Sequence, residues 1–230
     1  MKFGLLTRNV KAWCSNRLAT IIRKKGIDLV CFRFSDVLAR VAYKPQIEVK
    51  NQDVYGDLDA VLVRPIGRGS LDEIIFRLDL LHRFERRGIT VINPPSSIEK
   101  AVDKFYALTL LEEKGMPVPR TIVTESPRIA LRAFQEFNED VVIKPLFGSR
   151  GMGITRVTDL EVGRRIFRSL AFLHHVLYVQ EFVPHGNRDI RAFVVGNEVV
   201  AAMYRIADNW RTNVSQGAKT VAFQPSDEIR

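Results

Sequence analysis

The chain has 230 residues, of which 46% are hydrophobic and 27% are charged, and its formal net charge is +9. These values are typical of a globular protein with its own core, long enough for one large or two small domains. No apolar run reaches the length of a membrane span and Met1–Val10 does not fit a signal peptide, so we expect no membrane partner and a cytoplasmic location.

Cysteines and charge narrow the function classes further. Cys14 and Cys31 lie in different predicted elements without metal-type spacing, which favours reduced thiols over a disulfide or a metal site. The positive charge allows a nucleic acid, an anionic small molecule or an acidic protein as partner. Its dispersal over predicted helix faces, with little aromatic interleaving, argues against dedicated nucleic-acid binding.

The first part of the chain alternates strands with helices, which predicts a parallel α/β sheet. Strands are predicted at Lys2–Thr7, Ile27–Phe32, Ile47–Lys50, Ala60–Val63 and Ile89–Ile92, and helices at Asn16–Lys25 and Leu71–Arg87. Ligands bind such sheets beyond the carboxyl ends of the strands. An arginine at a strand's end, fixed by a following proline, suits a carboxylate, although a surface salt bridge is the alternative for Arg64. We predict substrate contacts from the loop after Lys2–Thr7 and the loop after Ala60–Val63, at Arg8, Asn9, Arg64 and Arg68.

The rigid segment Asn93–Ser97 predicts a domain boundary, and mixed helices and strands follow it. Helices are predicted at Ile98–Val102, Lys104–Lys114, Pro127–Phe137 and Leu160–Leu170, and strands at Arg120–Val123, Leu177–Val183, Asp189–Gly196 and Glu198–Ile206. From Ser226 onward the sequence has the pattern of another helix start.

The segment Val141–Val157 carries the clearest chemistry: a buried strand ending at Lys144, a turn with three glycines (Gly148–Gly153), and a second strand. A lysine at the end of an apolar strand is costly unless an anion meets it. Glycines let backbone N–H groups approach a phosphate closely. The turn lies between strands and matches neither a P-loop nor a dinucleotide fingerprint, which both open a helix. It predicts a flap over phosphates, with an ordinary glycine turn as the alternative.

Polar residues concentrate at later strand ends. Gln180–Val183 ends an apolar strand, where the backbone can meet an adenine edge and the Glu181 carboxylate a ribose hydroxyl. Asp189 and Arg191 point to one face of the next strand, and Arg205 of the paired strand can join them. Arg211 and Asn213 follow in a polar loop. Each alone fits an exposed charge, but their concentration favours a shared site.

This order of motifs resembles the ATP-grasp superfamily and, within it, the RimK-like carboxylate–amine ligases that add glutamate to an acceptor. The motifs are DKFYALTLLEEKGMPVPRT, VVIKPLFGSRGMGI, YVQEFV, DIRAFVVGNEVVAAMYR and WRTN. The resemblance implies an ATP-grasp fold of α/β class (α+β in part), with an N-terminal parallel α/β pre-ATP-grasp domain at 1–93. A small lid subdomain at 94–176 and the start of a C-terminal subdomain at 177–230 would follow.

The resemblance also implies roles for residues. Lys104 and Lys144 would contact ATP phosphates, and Arg191 and Arg205 would be catalytic. The remaining nucleotide contacts would be Gly148, Ser149, Arg150, Gly151, Met152, Gln180, Glu181, Phe182, Val183, Asp189, Arg211 and Asn213. The family holds Mg²⁺ (or Mn²⁺) with residues that would lie beyond position 230, so we expect a truncated chain without a complete metal site.

The substrates implied are L-glutamate and a small-molecule acceptor. The segment VRPIGRGS and the helix after it are similar to archaeal ligases that attach glutamate to tetrahydromethanopterin. Relatives that modify a ribosomal protein's C-terminus or a deazaflavin coenzyme share the core and stay open as alternatives. A non-catalytic basic protein that binds nucleic acid or an acidic partner is the hypothesis from another class, and a homo-oligomer is compatible with the sequence.

Overall fold

The structure, a computed structural model, describes residues 1–226. The helix start predicted from Ser226 onward therefore falls on residues 227–230, outside this part of the chain. The polypeptide forms two compact units, Met1–Val102 and Asp103–Arg230. No helix within residues 1–226 is both long and apolar enough to cross a bilayer.

The strands of the first unit are β1 (Lys2–Leu6), β2 (Asp28–Phe32), β3 (Val37–Ala39), β4 (Ile47–Val49), β5 (Gln52–Asp53), β6 (Ala60–Val63) and β7 (Thr90–Ile92). Four of them form a sheet in the order β2-β1-β6-β7, all of whose pairs are parallel as predicted. The helices of this unit are α1 (Trp13–Lys24), α2 (Val54–Asp57), α3 (Leu71–Arg86) and α4 (Pro95–Val102). The strand expected at Ile47–Lys50 is β4, which belongs to a separate antiparallel sheet with β3 and β5.

The core of the first unit joins the sheet to α3. Leu80, Leu81 and Phe84 of α3 are buried in one cluster with Phe32 and Val61 of the strands, because the helical period brings positions three and four apart to one face. A capping box starts this helix: the Ser70 hydroxyl accepts from the Glu73 N–H at 3.2 Å, and Glu73 Oε2 accepts from the Ser70 N–H at 2.9 Å. The helix therefore has a fixed start directly after the Arg64–Ser70 loop.

Two boundaries differ in detail from the sequence patterns. The first helix begins at Trp13, three residues before the predicted Asn16. The apolar pattern does not reveal this turn, because Trp13 is exposed and the buried Ser15 is polar and bonds to Thr7 Oγ1. The fourth helix begins at Pro95, inside the predicted Asn93–Ser97 break and three residues before the predicted Ile98. It lies in the first unit, where His82 Nε2 and Glu99 Oε1 are 2.8 Å apart. The division into 94–176 and 177–230 stays a prediction.

The second unit contains two sheets. The first is antiparallel, packs on two helices and runs in the order Thr155–Val157, Val141–Lys144, Leu177–Glu181, Thr121–Thr124. The second is an antiparallel sheet in the order Arg188–Val195, Glu198–Ile206, Lys219–Ala222. The elements are α5 (Lys104–Glu113), β8 (Thr121–Thr124), α6 (Pro127–Glu136), β9 (Val141–Lys144), β10 (Thr155–Val157), α7 (Leu160–Phe172), β11 (Leu177–Glu181), β12 (Arg188–Val195), β13 (Glu198–Ile206) and β14 (Lys219–Ala222).

Burial in the second unit explains where polar groups emerge. Ala133 and Phe134 of α6 and Phe167 of α7 are fully buried against Val141 and Val179 of the first sheet. The central strand β9 is apolar until its last residue, Lys144. In β11 the buried Gln180 ends the apolar run, and Glu181 is the first residue that leaves the core.

Candidate active site

Strand β9 holds Lys144 in a half-buried position at the end of three buried apolar residues. Its ammonium donates to Gln180 Oε1 on the neighbouring strand β11, and Gln180 Nε2 donates in turn to Thr121 Oγ1 at 2.8 Å. Burial lowers the pKa of Lys144, and the nearby charge of Lys104 lowers it further. The lysine is thus held by a neutral amide, which orients the cation and leaves its charge available to an anion.

Lys104, the first residue of α5, carries the second ammonium. Asp103 caps the helix by accepting from the N–H groups of Phe105 and Tyr106. Lys104 Nζ donates to the carbonyl oxygens of Pro145 at 2.9 Å and Gly148 at 3.0 Å, and burial lowers its pKa. The lysine therefore fastens the start of the glycine turn while placing positive charge beside Lys144.

The glycine turn uses backbone conformations that other residues reach only at a cost. Gly151 and Gly153 have φ of +72° and +74°, and Arg150, which directly precedes Gly151, also has a positive φ. A Cβ added to Gly151 would collide with the side-chain amide of Asn213, whereas one at Gly153 would make ordinary contacts with Pro145. The turn therefore lies directly against the Asn213 side chain.

Further hydrogen bonds fix the turn to the short helical segment Val214–Gln216. The Arg150 carbonyl accepts from Ser215 Oγ at 2.9 Å and from Gln216 Nε2 at 3.3 Å. The carbonyl of Ile154 accepts from Arg211 Nη2 at 3.3 Å. These contacts hold the turn closed against residues more than fifty positions away in the sequence.

A cavity of about 240 Å³ opens beside this turn, within the second unit. Its lining includes Arg205, one of the two predicted catalytic residues, and the predicted nucleotide contacts Lys144, Gln180, Glu181, Phe182, Val183, Asp189, Arg211 and Asn213. It also includes residues that the sequence patterns did not single out, namely Pro119, Val142, Ile154, His185, Trp210 and Thr212. The predicted residues Lys104, Gly148, Ser149, Arg150, Gly151, Met152 and Arg191 lie outside this lining.

One end of the cavity is aromatic. Phe182 and Trp210 meet edge to face with ring centroids 6.3 Å apart, and the Arg156 guanidinium lies 3.5 Å from the centre of the Phe182 ring. Arg156 is held by Asp140 through two bonds of 2.7 and 2.6 Å. This fixed apolar surface suits a planar ring.

The Glu181 carboxylate at this end has a protein partner. It accepts from the Arg120 N–H at 2.9 Å and from Arg120 Nε at 2.6 Å, and these bonds lower its pKa. The N–H groups of Glu181 and Phe182 donate to the carbonyls of Arg120 and Asp140. A ribose contact from Glu181 stays a prediction, and among these neighbours the Val183 N–H is left as a backbone donor for an adenine edge.

The other wall of the cavity carries a paired arginine. Arg205 lies opposite Asp189 in the register of β12 and β13, with Nε to Oδ1 at 2.7 Å and Nη2 to Oδ2 at 2.5 Å. Thr212 Oγ1 donates to the same carboxylate at 2.6 Å. Burial raises the pKa of Asp189, but the bonds from Arg205 and Thr212 outweigh it and leave the pKa lowered. Arg191 lies on the same face of β12, opposite Met203, and is exposed.

Two buried nitrogens of the lining lack a hydrogen-bond partner among residues 1–226. They are Arg211 Nε, which is a donor, and His185 Nδ1, which donates when the ring is protonated at that atom. Burying such groups unpaired is unfavourable, so a bound group with acceptor oxygens would stabilise them. Within the same residues no group of three or more His, Cys, Asp or Glu side chains is placed to hold a metal ion.

The four predicted substrate contacts all lie in the first unit, at the carboxyl edge of its sheet. Arg8 packs along Gly67, and the side chain of Arg64 is half-buried. Asn9 Oδ1 accepts from the Lys11 N–H at 2.9 Å, and the Arg68 carbonyl accepts from Arg77.

Comparison with known proteins decides the family. Residues 1–98 match the RimK PreATP-grasp domain, and residues 101–230 match the RimK-like ATP-grasp domain. The chain belongs to the RimK-like ATP-grasp family. The predicted family and fold class are confirmed.

Relatives of this RimK-like chain include named ligases. It is 36% identical to tetrahydromethanopterin:alpha-L-glutamate ligase of Methanosarcina acetivorans, over 94% of this chain and 72% of the relative. The protein of the same name from Methanococcus maripaludis is also 36% identical, over 100% and 78%. The alpha-aminoadipate–LysW ligase LysX of Sulfurisphaera tokodaii is 33% identical, over 78% and 63%.

Solved structures agree on the ATP-grasp fold. The RimK domain protein ATP-grasp from Sphaerobacter thermophilus superposes with a TM-score of 0.68 at 21% identity, covering 88% of this chain and 72% of that one. The ATP-grasp ligase PsnB, complexed with minimal precursor, Mg and ADP, superposes with a TM-score of 0.64 at 20% identity, covering 99% and 77%.

Sequence patterns missed residues of the RimK-like site that tertiary structure brings together. Trp210 and His185 lie in loops with no periodic signal, and their aromatic rings were the available clue. Thr212, in the WRTN motif, is 8% exposed and bonded to Asp189, a contact set by the approach of its loop to β12. Ser215 and Gln216 hold the glycine turn by hydrogen bonds that no local pattern indicates.

Proposed function

We propose that this chain is an ATP-dependent carboxylate–amine ligase that joins L-glutamate to a carboxylate-bearing acceptor. The observation that carries the proposal is the cavity of the second unit: Lys144, held by a neutral amide, lines it, and Lys104, held by carbonyl oxygens of the glycine turn, lies near Lys144. The family and the names of the relatives support the same reaction class.

The geometry supports a division of the site. The aromatic end around Phe182 and Trp210 would receive the adenine ring, since its faces are apolar and fixed. Lys104 and Lys144 would contact the phosphates, and the turn at Gly148–Gly153 would cover them. The unpaired nitrogens Arg211 Nε and, when protonated, His185 Nδ1 fit the oxygens of a nucleotide.

The reaction proposed has two steps. The acceptor carboxylate attacks the γ-phosphorus of ATP, which forms an acylphosphate and releases ADP. The amine of glutamate then attacks the acyl carbon, forms the amide and releases phosphate with loss of a proton. Positive charge and positioning from the protein lower both barriers.

The two predicted catalytic arginines differ in their partners and in their exposure. Arg205 lines the cavity but is bound to Asp189, so it would stabilise the acylphosphate only as part of that pair. Arg191 is exposed on the same strand face, where its charge would orient an incoming carboxylate.

Mg²⁺, or Mn²⁺ in its place, would neutralise phosphate charge when bound. The cavity fits a nucleotide better than a metal ion by itself, because its two carboxylates, Glu181 and Asp189, are already bound by Arg120 and Arg205; we assign no metal ligand among residues 1–226.

For the acceptor, we propose tetrahydromethanopterin or a related cofactor, since ligases of that name match over nearly the full chain. The consumption of ATP favours action in the cytoplasm.

The test is ADP release by the chain with Mg-ATP, glutamate and candidate acceptors, followed by mass analysis of the acceptor. We expect ADP release that needs both substrates and an acceptor heavier by one or more glutamyl residues. Lys144→Met should abolish both, while the exposed Lys24→Met should not. Activity that survives Lys144→Met, or tight salt-sensitive binding of generic duplex DNA without any response to ATP, would contradict the proposal.

A further inference from the structure

The first unit has a topological switch point between β1 and β6. The chain leaves β1 through α1 towards β2 on one side of the sheet order, and leaves β6 through α3 towards β7 on the other. The two connections therefore diverge at the carboxyl ends of β1 and β6, the place where a crevice is expected in an open parallel sheet. In open parallel sheets such crevices are where ligands bind.

Two arginines, Arg8 and Arg64, follow the carboxyl ends of β1 and β6 at this switch point. Leu6 and Val63 pair at the ends of β1 and β6, and the Arg64 N–H donates to the Leu6 carbonyl at 2.8 Å. Arg8 follows β1 by two residues. A Cβ added to Gly67 would lie 3.1 Å from Arg8 Cδ, so the Arg8 side chain lies along the loop that begins with Arg64.

This loop is held rigid by protein contacts alone. Arg77 Nη1 donates to the carbonyls of Ile66 at 3.2 Å and Arg68 at 2.8 Å, and its Nη2 donates to Glu73 Oε1 at 2.9 Å. Glu73 also accepts from the Ser70 N–H. The carboxylate beside the loop is therefore already bound, and the conformation of the loop is set in advance of any ligand.

Arg64, unlike Arg77, has no ion pair with a carboxylate within residues 1–226. Its Nε is buried and has no hydrogen-bond partner within the described part of the chain. Arg33, which follows the neighbouring strand β2, instead pairs with Asp36 at 2.8 Å. A buried donor without an acceptor is unfavourable, and a ligand oxygen at Arg64 would remove that cost.

We propose that Arg8 and Arg64 form an oxyanion site at the β1–β6 switch point that anchors a carboxylate of the acceptor. This carboxylate is a second one, separate from the group that is activated, so the acceptor class is a polyanion. That the ligand is the acceptor rests on the proposed ligase function, whereas the anion site itself is argued from residues of the first unit alone.

The test is calorimetric titration of the complete 230-residue chain with glutarate, a dicarboxylate without an amine. Arg64→Gln and Arg8→Gln should each weaken glutarate binding by about tenfold, as loss of a charge-assisted hydrogen bond predicts. Arg23→Gln, an equal charge change at the far end of α1, should leave it unchanged. Mg-ATP affinity should be the same in all four proteins. Because Arg8 is exposed, Arg8→Gln tests the site with a folded protein even where Arg64→Gln, a change at a half-buried side chain, disturbs folding.

Three results would overturn the site: no glutarate binding by the unaltered chain, equal weakening in Arg23→Gln, or binding that survives Arg64→Gln and Arg8→Gln but disappears in Lys144→Met. The last would place the dicarboxylate in the second unit. A failure of the proposed function would be recognised separately, because Mg-ATP would then fail to bind while glutarate still did.

Discussion

The two walls of the cavity hold their cations by different means. On one side, which we call the lysine wall, Lys144 of the cavity lining and the neighbouring Lys104 outside it are bound by amide and carbonyl oxygens, which are neutral. On the other, Arg205 is bound by both oxygens of Asp189. A cation held by neutral groups keeps its charge for an incoming anion, whereas one paired with a carboxylate is already neutralised. The lysine wall is thus suited to phosphate and the arginine wall to positioning.

The largest effect that would test this contrast is expected from Lys104→Met. The change removes a cation and also releases the carbonyls at the start of the glycine turn. We expect Mg-ATP affinity to fall by about a hundredfold, because two roles are lost at once. Trypsin should then cut faster after Arg150, which is exposed in the turn. The exposed Lys114→Met is the control, and unchanged affinity in Lys104→Met would remove it from the lysine wall.

A smaller effect should follow from moving the turn without touching a charge. Gly151→Ala places a Cβ against the Asn213 amide, so the turn must shift, and we expect Mg-ATP affinity to fall by about tenfold. Gly153→Ala is matched in φ but meets only Pro145. Fluorescence titration of both variants separates backbone strain from lost closure; equal losses would mean that contact with Asn213 is irrelevant.

On the arginine wall the expected effect is on stability. Asp189→Asn breaks the pair with Arg205 and should lower the free energy of unfolding by about 1 kcal/mol, since the carboxylate is partly exposed. The pKa of Asp189 is lowered in the folded chain. Its stabilisation is therefore present above the ordinary value of 3.8 and is lost as the pH falls through the folded pKa. Urea unfolding from pH 6 to pH 2 should show a flatter profile for Asp189→Asn than for Asp208→Asn.

The smallest effect concerns the pH dependence of the lysine wall. The pKa of Lys144 is lowered by burial and by Lys104, so folding disfavours its protonated form. This destabilisation is present below the folded pKa and disappears as the pH rises towards 10.5, the ordinary value. Between neutral and alkaline pH, thermal unfolding should show the unaltered chain gaining stability relative to Lys144→Met. A loss over that range would contradict the burial of a charged lysine.

The sequence predicts the parts of this molecule that local patterns encode. Apolar runs ending in a polar residue locate Lys144 and Gln180, and strand–helix alternation predicts the parallel sheet. The sequence does not predict strand register, which places Arg205 opposite Asp189 but Arg191 opposite Met203. Nor does it predict that Gly151 meets Asn213, since that contact depends on how distant segments pack.

The most direct test of the lysine wall compares ATP with adenosine as ligands of the unaltered chain and of Lys144→Met, by calorimetry with Mg²⁺ present. We expect the unaltered chain to bind ATP far more tightly than adenosine, and Lys144→Met to lose most of that difference while its adenosine affinity stays the same. Equal losses for both ligands, or an ATP affinity untouched by the substitution, would contradict the assignment of the phosphates to these lysines.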